Sequence, residues 1–196
     1  MTAPLHGLGH NRGPAMDDGV SWRRHCWREA REALLPHLPI EVVRMRVRRA
    51  RELGLDYRTY ATARETTGRD IIAFLFSSNA LRVLRPQDPV PPARAERLRA
   101  ITGAARALAA QPPADAAALA ARLAAEQGIH FAASGRAPRF SAPWATIRAD
   151  VLAAIGDLPP GGVWLVAETS EERLWCEAAR LGGHLSGDRF FSLPAR

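Results

Sequence analysis

Apolar and polar positions along the chain fall into helical arcs in some stretches and into short continuous apolar runs in others, a pattern that predicts interleaved helices and strands. From Trp22 to about Leu35, the side chains Trp22, Cys26, Trp27, Ala30, Ala33 and Leu34 share one side of a helical projection. Ser21 is placed to cap this helix and Pro36 to stop it. A second helix is expected from about Pro39 to Leu53, with the arc Ile40, Val42, Val43, Val47, Ala50 and Leu53, ending at Gly54. Asp56 then caps a third helix from Tyr57 to about Thr66, closed by Gly68.

The most apolar stretch, IIAFLFSSNALRVL at residues 71–84, suits a buried strand over Ile71 to Phe76 followed by a short helix capped by Ser77 or Ser78. A single helix capped by Asp70 competes with it. Four prolines make residues 85–93 an extended linker, and two Ala/Leu/Arg helices are expected beyond it, at about 94–110 and 115–127. Ile129 to Ala133 reads as a short strand containing His130, and the following SGRAPRFSAP as a polar loop. A helix from about Pro143 to Ile155, a Pro-Pro-Gly-Gly turn and a strand from Val163 to Ala167 lead to Thr169 and Glu172, which stand at capping-box spacing. The helix they start runs to Gly182-Gly183, His184 and Leu185 begin another strand, and Gly187-Asp188 turns the chain.

The expected fold class is mixed α/β, with an Arg-rich N-terminal helical module followed by a small-sheet α/β module. Its divisions are an arm at residues 1–20, a basic helical module at 21–85, a Pro-rich linker at 86–93 and the α/β module at 94–196. The expected cores contain Trp22, Trp27, Val43, Val47, Leu53, Phe74, Phe76, Val163, Leu165 and Leu174.

All 27 basic side chains among the 196 residues are Arg, against 20 acids, for a formal charge of +7. Compositional bias explains Arg in place of Lys but leaves the excess of positive charge unexplained. That excess is uneven: residues 1–90 carry 15 Arg against 10 acids, and 91–196 carry 12 against 10. The first part is therefore the candidate polyanion surface. Cys26 and Cys176 lack the spacing of a disulfide framework or a zinc site. The N-terminal stretch lacks the apolar core of a signal peptide, and no apolar run reaches membrane-spanning length, so a cytoplasmic setting without membrane contact is expected. His6 and His10 are separated by glycines that work against the helix a metal pair would need.

No P-loop, dinucleotide-binding, nucleophile-elbow, zinc-protease or EF-hand pattern occurs, and the absence of Lys removes Schiff-base chemistry. Catalytic residues, metal ligands and cofactors are accordingly assigned to none. Glu168 at a strand end and Asp188 in a neighbouring turn could converge on a divalent ion, against the ordinary dipole and turn roles of such acids. The Ser-Ser-Asn turn offers amide donors and hydroxyls to a phosphate but lacks the glycines for close backbone approach, so a capped turn is expected.

Residues 46–68, RVRRARELGLDYRTYATARETTG, read as helix, tight Gly turn, helix, with Ala50 four before Gly54, Leu53 and Leu55 flanking the turn, and Tyr60 and Ala63 facing inward. In arrangement the segment resembles the DNA-binding helix-turn-helix, with Arg49 where that motif usually has an apolar residue. The resemblance implies that Tyr57, Arg58, Thr59, Thr62 and Arg64 face bases or phosphates while Arg44, Arg48 and Arg51 grip the backbone. A small helical subdomain in which Tyr57 and Tyr60 simply cover the first helix needs the same packing. The expected function is nucleic-acid binding, as a DNA-binding regulator if the resemblance carries. The alternatives are a basic docking face for an acidic protein partner and a small α/β enzyme acting on a phosphorylated substrate.

Overall fold

The computed structural model describes Trp22, residues 25–27 and residues 38–192. Contacts divide the chain into two units, 1–40 and 41–196. In the first, Trp22 and residues 25–27 are helical. Trp22, Trp27 and Cys26 are exposed there, contrary to the buried face that the helical arc predicts. The remainder of that helix, and the arm with His6 and His10, lie outside the described residues.

The second unit is mixed α/β. Two helices, α1 (Ile40–Glu52) and α2 (Tyr57–Thr67), lead into β1 (Ala73–Ser77). The chain continues through α3 (Pro92–Ala100), β2 (Ala105–Ala110), α4 (Ala116–Gln127) and β3 (Ala133–Arg136). It then passes through α5 (Trp144–Ile155), β4 (Val163–Ala167), α6 (Ser170–Ala179), β5 (Gly183–Ser186) and α7 (Gly187–Ser192). All neighbouring strands are parallel, in the order β3-β2-β1-β4-β5.

That order follows from how the chain steps. From β1 it moves outward to β2 and β3, then α5 carries it back across to β4 on the other side of β1. β1 and β4 are buried at every position because helices cover both faces of the sheet, and this is why both read as continuous apolar runs. Phe74, Phe76, Leu108, Trp164 and Val166 pack on the side of α1 to α4 and α7. Leu75, Ala107, Ala109, Val163 and Leu165 pack on the side of α5 and α6. The outward paths from β1 and β4 diverge, which makes the carboxyl end of this strand pair the topological switch point.

β1 is the central strand, and it belongs to the stretch 21–85 while its neighbours belong to 94–196; the expected helical module and α/β module therefore share one sheet. The Pro-rich stretch between them is a docked crossover. Val90 is buried, its N–H donates to Gln127 Oε1 at 2.9 Å, and Gln127 Nε2 donates back to its carbonyl at 2.8 Å.

Four local expectations change. After β1 the chain makes a turn in place of a short helix, with Ser77 Oγ accepting from the Ala80 N–H and Arg82 at φ 60°. The expected helix over 94–110 is α3 followed by β2. The helical preference of ARALAA is overridden because small Ala side chains fit between β1 and β3 under helices on both faces. The third strand begins at Ala133, leaving His130 exposed, and Gly187 opens α7. Gly135 in β3 is needed for the approach of α5: a Cβ there would lie 2.6 Å from Ala154 Cα.

Of the expected core, Leu53, Phe74, Phe76, Val163 and Leu165 are buried, while Val43 and Val47 are only half-buried. Leu174 is exposed, because α6 buries the stripe Glu172, Trp175, Ala178 and Ala179, and Leu174 stands one helical position away from it.

Candidate nucleic-acid interface and the carboxyl edge of the sheet

The turn between α1 and α2 is built around Gly54, at φ 69°, a left-handed conformation that other residues resist. Ala50, Leu53, Leu55, Tyr60 and Ala63, the inward positions of the helix-turn-helix resemblance, are all buried. Any tight helix pair needs that packing, so it does not by itself distinguish a DNA-binding pair. The turn is also held from below. Arg97 on α3 is 4% exposed, donates through Nη2 to the Gly54 carbonyl and lies 5.7 Å over the Phe190 ring; burial lowers its pKa.

At the start of α2, Asp56 Oδ1 accepts from the Thr59 N–H at 2.8 Å and Oδ2 from the Thr59 hydroxyl at 2.6 Å. Burial would raise the Asp56 pKa, but the Thr59 hydrogen bonds, the Arg189 charge and a backbone bond from Arg58 outweigh it and hold it low. Thr59, which the resemblance turned outward, is therefore buried, and its hydroxyl also accepts from Arg189 Nη2 at 3.1 Å. Tyr57 and Arg64 are half-buried, and Arg58 and Thr62 are exposed. Glu65 shares their outward face, at helical spacing from both.

On α1, Arg44, Arg48 and Arg51 are all exposed, spaced so that they form one ridge. Arg49, which replaces an apolar residue of the motif, turns to the sheet. It donates to Asp70 Oδ2 at 2.9 Å, to Glu52 Oε2 at 3.2 Å and to the Ile71 carbonyl at 2.9 Å. Burial opposes its charge, yet the hydrogen bonds and charges of Glu52 and Asp70 raise its pKa above the ordinary value. Asp70 also accepts from the Tyr60 hydroxyl at 2.9 Å. Burial, then the Asp70 bond and charge, push Tyr60 up.

A second cluster occupies the carboxyl edge of the sheet. Glu172, on the first turn of α6, is buried, and its carboxylate joins three strand tips. Oε1 accepts from Asn79 Nδ2 at 2.9 Å and Gln111 Nε2 at 3.4 Å, after β1 and β2. Oε2 accepts from the N–H groups of Glu168 and Thr169, after β4, at 2.7 and 3.0 Å. The capping box with Thr169 is as the spacing predicted. Ser77 and Ser78 are buried, and their hydroxyls accept from the N–H groups of Ala80 and Gln111, so this turn is a cap and not a phosphate cradle.

Glu168 and Asp188 do converge, but on a guanidinium. Arg82 Nη2 lies 2.8 Å from Glu168 Oε1 and 3.3 Å from Asp188 Oδ1, and Arg94 adds a bond of 3.0 Å to Asp188. Among the described residues no group of three metal-ligating side chains forms. Cys176 is half-buried and its thiol is pushed up to about 11 by burial and by Glu177, which leaves it a poor nucleophile at neutral pH. No helix of the described residues is long and apolar enough to cross a membrane.

Comparison of the chain with protein-family models, with curated proteins and with solved structures gives no match.

Proposed function

We propose that the protein binds nucleic acid through α1, with Arg44, Arg48 and Arg51 on the phosphate backbone and Arg58, exposed on the first turn of α2, as a further contact. The observation that carries this reading is the division of labour among arginines. Arg49, Arg82, Arg94, Arg97, Arg106 and Arg122 are spent on internal carboxylates and carbonyls. Arg44, Arg48, Arg51 and Arg58 make no side-chain hydrogen bond or ion pair with the described residues, and all are exposed. Of the nearby acids, Glu52 and Asp70 share Arg49, Asp56 accepts from Thr59, and Glu41 stands exposed on the first turn of α1.

Arg44 to Arg51 spans seven residues, or roughly 10 Å of helix at about 1.5 Å per residue. One strand of duplex advances about 3.4 Å per phosphate, so the ridge matches a run of about three phosphates. Guanidinium groups bind phosphate oxygens bidentately. Base reading by α2 is the weaker part of the helix-turn-helix idea, because Thr59 is engaged internally and Glu65 would face the phosphates. The expected mode is backbone binding with little sequence preference. Free Cys26 and Cys176 agree with a reducing, cytoplasmic setting.

The test is fluorescence anisotropy on short duplex DNA, single-stranded DNA and duplex RNA across a salt series. The log-log salt slope is expected near −3 for about three phosphate contacts, and Arg44→Ala with Arg48→Ala reduces it by about 2. Absence of binding at low salt, or an unchanged slope in the double variant, overturns the proposal. Saturable binding to polyglutamate without binding to any nucleic acid would transfer the same face to an acidic protein partner.

A further inference from the structure

We propose that the carboxyl edge of the sheet binds a mononucleotide, with its base and its phosphate in two adjoining clefts on either side of Thr169. The proposal is independent of the α1 reading and rests on different residues.

The larger cleft, about 380 Å³, opens between the tips of β1, β2 and β4, where the strand order reverses direction. The smaller, about 280 Å³, lies between the tips of β4 and β5. Thr169 lines both, so the two clefts adjoin at this residue.

Their chemistries are complementary. In the larger cleft Ile147 and Trp175 form an apolar wall, and Phe140 stands at the lining 80% exposed. A phenyl ring left in water beside a cleft is a stacking platform for a planar ring. The loop that carries it includes Ser141 at φ 55°, a conformation that non-glycine residues adopt rarely and that tends to occur at ligand sites. Asn79 and Gln111 present amides whose N–H groups are directed to Glu172, leaving their carbonyl oxygens without a partner among the described residues. Those oxygens are acceptors for the exocyclic or ring N–H of a base.

The smaller cleft is cationic. Arg173 and Arg189 line it with His184, and the hydroxyls of Thr169 and Ser186 stand beside them. The acid in its lining, Glu168, pairs with Arg82 through Oε1 and holds its Oε2 buried, away from the cleft's solvent. This set suits a phosphate.

The division of the ligand between clefts also follows from what is closed. Helix N-termini ordinarily attract phosphate, but at α6 the N–H groups of Glu168, Thr169 and Glu172 are already bonded in the capping box, and the Glu171 and Glu172 carboxylates add negative charge. The phosphate is assigned to the smaller cleft, where Arg173, Arg189 and His184 gather, whereas the larger one sets Arg139 against Glu171 and Glu172.

The experiment is calorimetric titration of the full chain with the four common nucleoside 5′-monophosphates, their nucleosides and inorganic phosphate. At least one monophosphate is expected to bind tenfold or more tightly than its nucleoside and than phosphate alone. Phe140→Ala, at an exposed site, lowers that affinity about tenfold through lost stacking and leaves phosphate binding unchanged. Arg173→Ala with His184→Ala removes the advantage of the monophosphate over the nucleoside, while Arg44→Ala with Arg48→Ala changes nothing. Failure of every monophosphate to bind below about 10 mM overturns the proposal, a threshold already weaker than millimolar affinity. So does binding unaffected by either cleft variant, or binding abolished by the α1 variant. Because the α1 variant is carried in both experiments, failure here is distinguishable from failure of nucleic-acid binding.

Discussion

Replacing Glu172 by Ala tests whether the carboxyl edge is held together as described. The side chain is 1% exposed and accepts four hydrogen bonds, at 2.7, 2.9, 3.0 and 3.4 Å. A hydrogen bond to a charged group contributes about 1.5–3 kcal/mol when buried, but Asn79 and Gln111 border an open cleft and regain water, so their share is discounted. The two backbone N–H groups behave as a lost helix cap, worth about 1 kcal/mol. The net expectation is a loss of about 3 kcal/mol, a large part of a stability that is typically about 5–15 kcal/mol. In a chain of this size that lowers Tm by roughly 6–12 °C. Urea denaturation followed by far-UV circular dichroism measures it, with Glu171→Ala, at the exposed neighbour, expected within about 0.5 kcal/mol of wild type. Glu172→Gln keeps the volume but points an amide at groups that are themselves donors, and falls between the two. If Glu172→Ala costs under about 1 kcal/mol, or no more than Glu171→Ala, the reasoning about a buried clamp is refuted.

Two further outcomes follow from the structure. Asp56→Ala is expected to cost about 1 kcal/mol at pH 7 through the lost cap on α2. Because the folded-state pKa of Asp56 is lowered, its contribution is full above the unfolded carboxylate value, near 4, and fades as pH falls through the lower folded value. The gap between variant and wild type in urea midpoint should thus narrow from pH 7 to pH 3, and a constant gap counts against the assignment. Gly135→Ala should destabilise by about 1–3 kcal/mol, since the new methyl group meets the Ala154 backbone at 2.6 Å. A thermal midpoint equal to wild type would mean that α5 does not press on β3 as described.

The parts of the fold that were legible in the sequence are those where local signals and tertiary packing agree. Thr169 and Glu172 announce the start of α6, Val163 to Ala167 form β4 with the expected bounds, and Asp56, Gly54 and Gly68 delimit the helices around them. β2 was illegible because its six residues carry helix-forming Ala and Leu, and only the covering of both faces makes them a strand. The same burial hid the module boundary. β1 follows two helices in sequence and so looked like part of a helical module, yet it is the strand on which the others assemble. At the site level, capping spacing located Glu172 but gave no sign that its carboxylate would reach the tips of β1 and β2, since Asn79 and Gln111 are 93 and 61 residues away in sequence.

Charge is where sequence reasoning has the least purchase, and Arg48 and Arg49 illustrate why. They are identical in type and adjacent, so composition, net charge and local pattern treat them alike. One step along a helix rotates a side chain by about 100°, which turns Arg48 to solvent and Arg49 onto Asp70 and the Ile71 carbonyl. An arginine paired with an internal carboxylate adds little to an outward field, and one whose donors are held by internal carbonyls has none left for a phosphate, whereas an exposed, unbonded one has both. The +7 of the chain is therefore a poor guide to where a polyanion docks. What identifies the α1 ridge is that Arg49 turns inward to Glu52 and Asp70, while Arg44, Arg48 and Arg51 are exposed and make no ion pair with the described residues. Reading a basic surface thus requires subtracting the arginines that hold the fold together, and that subtraction depends on contacts between residues far apart in sequence.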